Sequence, residues 1–285
     1  MGVLSGLSNL GLSKLEDADL FAKDETNVKK QEEPVKQEAK PINEKDFLFD
    51  KTIECAVCHK NFTERKVKTG KARLVKQDKD LRPIFNGIDT GKYDVISCPH
   101  CGYTALEKWF PIIAAPQAKL VKENISKNFR KFRRDEVVSY DEAIERYRLT
   151  LANCIVKRGR DSEKAYTCLK MAWVVRGKAE SLDPATEGYD DIIDELKIDE
   201  EELLHNAIEG FISARQTENF PIAGMDEMTL DYLLSVLLLK EGKLDESAKF
   251  IVNVLQSRSA NTRIKNRALE IKEEIIEKKK LTKTN

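Results

Sequence analysis

Apolar residues recur at spacings of three and four from about residue 117 onward, the pattern of amphipathic helices. The first helix carries Val121, Ile125, Phe129 and Phe132 on one face. The second begins at Ser139, which forms a capping-box pattern with Glu142, and ends at Gly159. Further helices are predicted to begin at the following residues: Asp161, Asp199, Asp226, Asp245 and about Asn261. Consecutive amphipathic helices with short loops predict an antiparallel array of helical hairpins.

The pair of helices over residues 226–257 resembles one tetratricopeptide repeat (TPR). It has a leucine-rich first helix, a turn at Gly242 and a second helix that opens Asp-Glu-Ser-Ala. Four positions depart from that repeat: Ser235, Ser247, Asp231 and Leu238. The resemblance implies a TPR-like array rather than a regular series of repeats.

Residues 46–110 have a different pattern. Short alternating stretches such as Lys66-Val67-Lys68 and 93–97 are separated by turn signals at Asn86-Gly87 and Thr90-Gly91, which predicts the strands of a small sheet. A segment of this size cannot bury a sufficient hydrophobic core. The apolar run that begins at Trp109 follows without a flexible linker, so we expect the helical part to pack against this segment.

Residues 1–45 have the composition of a disordered segment, rich in Lys, Glu, Asp and Gln. Leu4, Leu7 and Leu10 recur every third residue at its start. These leucines are either incidental in a flexible terminus or form a short amphipathic peptide that docks on a partner or on a groove of this chain.

Two cysteine pairs give the sharpest chemical signal. Cys55 and Cys58 form one pair and Cys98 and Cys101 the other, with 39 residues between the pairs. Two pairs of this spacing favour a tetrahedral zinc site with four thiolate ligands. A catalytic zinc or a redox dithiol is the weaker alternative, since four thiolates leave no open position on the metal.

The remaining histidines and cysteines are assigned to other roles. His59 and His100 lie within the cysteine motifs and are expected beside the metal rather than on it. Cys154 and Cys168 lie on inward helix faces, where free cysteines pack as small apolar residues.

The charge sums to zero, with 49 basic and 49 acidic residues, which excludes an overall polycation. Its distribution is uneven. Residues 119–134 hold seven basic residues against Glu123, whereas 180–202 hold eleven acidic residues and one lysine. These runs are either solvated faces or, for the basic one, a phosphate contact. The candidate nucleic-acid contacts are Lys127, Arg130, Lys131, Arg133 and Arg134.

The chain shows no Gly-rich phosphate loop, nucleophile elbow or His-carboxylate metal motif, so we expect no enzyme and no small-molecule substrate. The start of the chain lacks the basic region and cleavage site of a signal peptide. Apolar runs are too short to span a bilayer. A cytoplasmic protein without a membrane partner is expected.

Two further stretches are distinctive: Arg73 to Phe85, and Tyr93 to Tyr103, which contains Cys-Pro-His-Cys-Gly-Tyr. Both resemble a bacterial domain-of-unknown-function family that is frequent in Firmicutes. The resemblance covers about residues 50–260 and implies a zinc ribbon joined to TPR-like helices, with no established activity. Zinc does not account for Arg73, Asp78, Asp80 and Pro83. They either pin the long connection by hydrogen bonds and a turn or form a contact surface.

The predicted fold is mostly α with a small β zinc ribbon, an N-terminal zinc-ribbon module followed by a TPR-like antiparallel helical-hairpin array. The expected domains are a disordered segment with an amphipathic start (1–45), a zinc ribbon (46–115) and a TPR-like domain (116–285). One structural Zn²⁺ is expected on Cys55, Cys58, Cys98 and Cys101. The expected function is a non-enzymatic adaptor for a protein or peptide. The alternative is a nucleic-acid-binding regulator that uses the ribbon and a 119–134 basic helix.

Overall fold

A computed structural model gives the structure of residues 43–131 and 134–284. The predictions for residues 1–42, including their leucines, and for Phe132 and Arg133 lie outside these described residues. From Asn43 onward the chain forms one compact unit. The fold is mostly helical with small antiparallel strand pairs toward its N-terminal side, which confirms the predicted fold class.

The strands form three separate two-stranded antiparallel ladders rather than one sheet. Their bounds are β1 (Leu48–Glu54), β2 (Asn61–Val67), β3 (Leu74–Gln77), β4 (Pro83–Phe85), β5 (Val95–Ser97) and β6 (Thr104–Leu106). Each strand pairs with the next one along the chain. Because four of the strands span only three or four residues, each ladder relies on the structure around it rather than on a sheet core.

The helices follow the ladders. Their bounds are α1 (Ala115–Val121), α2 (Tyr140–Val156), α3 (Asp161–Ser181), α4 (Tyr189–Thr217), α5 (Glu227–Lys240), α6 (Leu244–Gln256) and α7 (Thr262–Thr284). Three predicted starts have the expected N-cap hydrogen bonds, since the side chains of Ser139, Asp226 and Asn261 each accept a backbone N–H three residues ahead.

Two helix predictions were wrong at their boundaries. The helix expected to start at Asp199 begins ten residues earlier, because Ile192 and Leu196 continue its apolar face into the core. The first predicted helix, expected to run to residue 134, ends earlier. It consists of α1 followed by one π-helical segment, which ends at Ser126. The chain leaves the helix there, and Phe129 packs over Gly102 of the second cysteine motif.

Two of the departures from the TPR pattern pair with each other between α5 and α6. Ser235 and Ser247 are fully buried, and each hydroxyl lies within 3.0 Å of the other serine's backbone carbonyl oxygen. Small hydroxyl side chains at both positions allow the two helices to approach closely. A third departure, Asp231, is buried and accepts a hydrogen bond of 2.8 Å from Arg215 of α4.

The ladders and the helices share a hydrophobic core. One cluster joins Tyr93, Val95 and Leu106 of the ladder region to Tyr147 of α2 and Val174 of α3. Trp109 packs edge-on against Tyr166 of α3, with ring centroids 5.9 Å apart. The expected packing of the helical part against the ribbon is therefore confirmed.

The hairpin β3–β4, part of the long connection between the two cysteine pairs, reaches distant helices. The buried Asp80 carboxylate accepts hydrogen bonds from Arg176 (2.6 Å) and from the Trp173 indole (3.2 Å), both on α3. Arg267 of α7 donates to the backbone carbonyls of Gln77 and Asp78. These bonds pin the connection, the first of the two roles expected for this region.

Within the described ranges, no helix has the length and apolar character needed to cross a membrane.

Candidate metal centre

The two cysteine pairs occupy two turns of the same geometry. In the first turn, which follows β1, the Cys55 N–H donates to the Lys60 carbonyl (3.0 Å) and the His59 N–H donates to the Cys55 carbonyl (2.9 Å). His59 has a left-handed backbone with φ of 59°. This conformation turns the chain back so that Cys55 and Cys58 face the same point.

The second turn follows β5 and repeats these bonds. The Cys98 N–H donates to the Tyr103 carbonyl (2.8 Å), and the Gly102 N–H donates to the Cys98 carbonyl (3.0 Å). Gly102, the counterpart of His59, has φ of 74°. Glycine adopts this conformation readily, whereas nothing in the sequence indicates that a histidine would adopt it in the first turn.

The four thiols converge. Their Sγ atoms all lie within 4.8 Å of one another, with Cys55 3.6 Å from Cys101 and Cys58 3.7 Å from Cys98. Tetrahedral zinc with Zn–S bonds of about 2.3 Å would place sulfurs about 3.8 Å apart. All four cysteines are free of disulfides. The donor set and its spacing therefore fit a metal ion of that size.

A small apolar core shields the cluster from water on one side. Cys55, Cys98 and Cys101 are buried, and Cys58 is half-buried. The surrounding buried residues are Val57, Phe62, Ile96, Tyr103, Ala105, Phe110 and Val121. Burial of this kind holds the ligands in place and limits exchange with solvent.

The packing of the thiols against one another shifts the pKa values of three of them. Hydrogen bonds from the thiols of Cys101 and Cys55 lower the pKa of Cys98 to about 2. The hydrogen bond with Cys101 lowers the pKa of Cys55, but its bond with Cys98 and its burial raise that pKa further, to about 12. The pKa of Cys101 is raised by its bonds to Cys55 and Cys98 and by burial. A thiolate is therefore favoured at Cys98, whereas Cys55 and Cys101 hold their protons more tightly, and a bound metal would displace those protons.

The two nearby histidines lie outside the cluster of ligand atoms. The exposed His59 ring is 3.4 Å from Glu54, and the His100 Nε2 is 3.3 Å from the Asn61 carbonyl oxygen. The structure thus brings together the four cysteines that the sequence singled out and leaves both histidines beside them.

Helices hold the second turn through its carbonyl groups. Ser126, at the end of the π-helical segment, donates to the Cys101 carbonyl (2.8 Å), and Asn153 of α2 donates to the Gly102 carbonyl (3.1 Å). Sequence reasoning missed both residues, because neither belongs to a cysteine motif. Asn153 is fully buried in an otherwise amphipathic helix, and a polar residue on an inward helix face was the available signal.

We expect Gly102→Ala to destabilise this turn. A Cβ there would lie 2.5 Å from Cδ2 of Phe129, in addition to the cost of the left-handed backbone. Strain and overpacking together should lower the free energy of unfolding by roughly 2–4 kcal/mol, measured by denaturant titration. Gly70→Ala is the matched control, since its φ is 77° but no atom lies within 4 Å of the added Cβ. An equal loss of stability in both variants would show that the contact with Phe129 adds nothing to the cost of the left-handed backbone.

The predicted nucleic-acid contacts separate into two groups. Lys127, Arg130 and Lys131 are exposed in the turn and loop after Ser126. Arg134 instead points to the ribbon, where it pairs with Glu64 (3.5 Å) and donates to the carbonyls of Thr63 and Ser97. Sequence reasoning missed this role because Glu64 lies 70 residues earlier.

Glu64 is the centre of a buried ionic network between ribbon and helices. The Arg146 guanidinium of α2 donates to Glu64 (3.0 Å) and to Glu142 (2.6 Å), and Glu64 accepts the backbone N–H of Ser97 (3.2 Å). Glu64 and Arg146 are each only 2% exposed. Since Ser97 directly precedes Cys98, this network fixes the strand that carries the second turn.

Cys154 and Cys168 lie on buried helix faces, as predicted from their positions. Burial raises the pKa of Cys154 to about 12 and that of Cys168 to about 11. Thiols with such pKa values stay protonated at neutral pH, which agrees with a packing role.

A groove of about 610 Å³ lies away from the four-cysteine cluster, between α2 and α4, with α3 as its floor. Its apolar part includes Leu151 and Ile155 of α2, Cys168 and Met171 of α3, and Leu203 of α4. Ile155 is 70% exposed. The helical array therefore presents an open surface with an apolar centre.

The fold and the site define a class of protein in which a β-ribbon with a four-cysteine cluster is packed on antiparallel helical hairpins. The chain belongs to the bacterial family described as "Uncharacterized protein conserved in bacteria (DUF2225)", whose profile matches residues 48–275. Neither the curated proteins nor the solved structures contain a match to this chain. The resemblance to an uncharacterised bacterial family is confirmed, while its frequency in Firmicutes and its cysteine pattern stay predictions.

Proposed function

We propose that this chain is a non-enzymatic cytoplasmic adaptor, in which one structural zinc ion holds the ribbon and the TPR-like helices bind a protein or peptide partner. The observation that carries the proposal is the open groove over α2, α3 and α4. Stacked helical hairpins commonly bind extended or helical ligands on such surfaces.

Zinc is the metal that fits the donor set best. Four cysteine sulfurs in a tetrahedral spacing are typical of zinc or of iron–sulfur sites, and four protein thiolates fill the shell of a structural zinc ion. A zinc ion bound there would cross-link the two turns, and it would have no coordination position left for a substrate. The ribbon would then be the rigid base against which α2 and α3 are placed.

A nucleic-acid-binding regulator is the second candidate. The exposed Lys127, Arg130 and Lys131 lie close together in the chain, beside a ribbon that is rich in lysine. This loop could contact phosphates without base recognition. The pairing of Arg134 with Glu64 removes that residue from such a contact, which weakens the candidate.

Pull-down of the full chain from its native cells, with nuclease treatment, separates the two candidates. An adaptor should retain the same protein partner after nuclease digestion. A photoreactive residue introduced at position 155 should then form a cross-link to that partner, which would locate the partner in the groove. The triple variant Lys127→Ser/Arg130→Ser/Lys131→Ser should leave capture unchanged, because these side chains lie outside the residues that line the groove.

The opposite result is equally specific. The nucleic-acid candidate would be established by binding to duplex DNA that the triple variant abolishes. The logarithm of the binding constant should also fall linearly with log salt concentration, with a slope near −0.9 per neutralised phosphate. Loss of every captured protein after nuclease treatment would overturn the adaptor proposal.

A further inference from the structure

The charges around the groove between α2 and α4 indicate what it binds. Four acidic side chains line it, namely Asp161, Asp199, Glu202 and Glu209, against two basic ones, Arg148 and Lys164. Both basic side chains are already engaged by acids of the rim. Arg148 lies 3.6 Å from Asp199, and Lys164 lies 2.7 Å from Asp161. The lining thus has a net negative charge that its own bases do not neutralise.

The acidic residues flank the apolar centre. Along α4 the groove extends from Asp199 to Ser213, which is about 21 Å at a rise of 1.5 Å per residue. Asp199 and Glu202 lie toward one end of this stretch, and Glu209 lies toward the other. Leu203 lies between them, opposite Leu151 and the exposed Ile155 of α2. A ligand that is complementary to this groove therefore needs aliphatic groups at its centre and cationic groups on both sides of them.

We propose, on the basis of the adaptor function above, that the groove binds an amphipathic α-helix of a partner protein that bears Lys or Arg beside an aliphatic face. A helix of about 14 residues matches the length of the groove. Aliphatic side chains at spacings of three and four would cover Ile155, Leu151 and Leu203. Lysines on the same helix would then meet Glu202 and Glu209. Nucleic acid is disfavoured here, because phosphates would face the same carboxylates.

A defined peptide tests this inference on the full chain. The probe is a fluorescein-labelled peptide of about 15 residues, built of Leu and Lys with leucines at helical spacing. Its matched controls are the same peptide with Glu for Lys, and a peptide of the same composition with alternating leucines. Fluorescence anisotropy should show saturable binding of the first peptide, roughly tenfold or more tighter than either control. Added salt should weaken this binding.

Groove variants have close controls on the same chain. Ile155→Asp should weaken binding of the peptide by at least about tenfold. Ile198→Asp should leave binding unchanged, since Ile198 is 64% exposed but lies outside the residues that line the groove. Glu202→Lys should weaken binding, and Glu273→Lys, an exposed site on α7, should not. Circular dichroism of each variant checks that the fold is kept.

Two results would overturn the inference. Equal binding of the Glu peptide would show that the carboxylates do not select the ligand. Unchanged binding by folded Ile155→Asp and Glu202→Lys would place the peptide elsewhere. Either failure concerns the chemistry of the occupant, whereas the adaptor proposal itself falls only if nuclease-treated capture retains no protein.

Discussion

Cys98→Ser should release the bound metal and unfold the ribbon. Cys98 is fully buried, and its thiol lies 3.7 Å from Cys58 across the cluster, so its loss opens the ligand set. Zinc binding supplies on the order of 10–16 kcal/mol in small zinc modules, which is comparable to the whole net stability of a typical domain. Metal analysis should give one zinc per chain in the native protein and none in the variant.

Cys168→Ser is the control for this experiment. It also removes a buried thiol, but from the helical core, and it should keep one zinc per chain. Amide hydrogen exchange of the native protein with and without a chelator should show lost protection over β1 and β5. A ribbon that stays protected after the metal is removed would contradict a structural role for the metal.

Arg146→Met should cause a large loss of stability with the metal still bound. The change leaves the Glu64 and Glu142 carboxylates buried without the guanidinium that lies 3.0 and 2.6 Å from them. Breaking a buried ion pair by removing one partner costs about 3–5 kcal/mol. Urea unfolding followed by circular dichroism measures this difference in the free energy of unfolding.

A surface pair provides the comparison for Arg146. Arg65 lies 2.8 Å from Asp50, whose side chain is 56% exposed, so Arg65→Met should cost no more than about 1 kcal/mol. The double variant Arg146→Met/Glu64→Gln should regain part of the loss, because it also removes the charge of one of the two carboxylates that pair with Arg146. If Arg146→Met and Arg65→Met cost the same, the network contributes no more than a surface contact.

The sequence predicted the elements and ligands whose signals are local. Cysteine spacing indicated the four thiols, and Ser139, Asp226 and Asn261 marked helix starts through bonds to residues three positions ahead. Pairings between distant residues were beyond this reasoning. Glu64 meets Arg146 at a separation of 82 residues, and Asp80 meets Arg176 at 96, so no periodic pattern connects them.

The same limit explains the boundaries that were wrong. The acidic run over residues 180–202 was interpreted as solvated and the helix was expected to start only at Asp199. In the structure Ile192 and Leu196, at four-residue spacing, gain burial against distant core residues. The basic segment after Ser126 was assigned to a helix because Phe129 fits its face. Packing over Gly102 stabilises the irregular path instead, and only the folded ribbon offers that contact.

The reach of the β3–β4 hairpin has a consequence for biosynthesis. The hairpin leaves the ribosome early, whereas two of its partners, Tyr232 and Arg267, are made 153 and 190 residues after the positions they bind. The charge of Asp80 is therefore not compensated by Arg176 until α3 has been synthesised. Contacts of such sequence separation slow folding and leave surfaces exposed in the meantime. A nascent chain with its metal already bound would hold this hairpin in a fixed loop, ready for the helices as each one emerges.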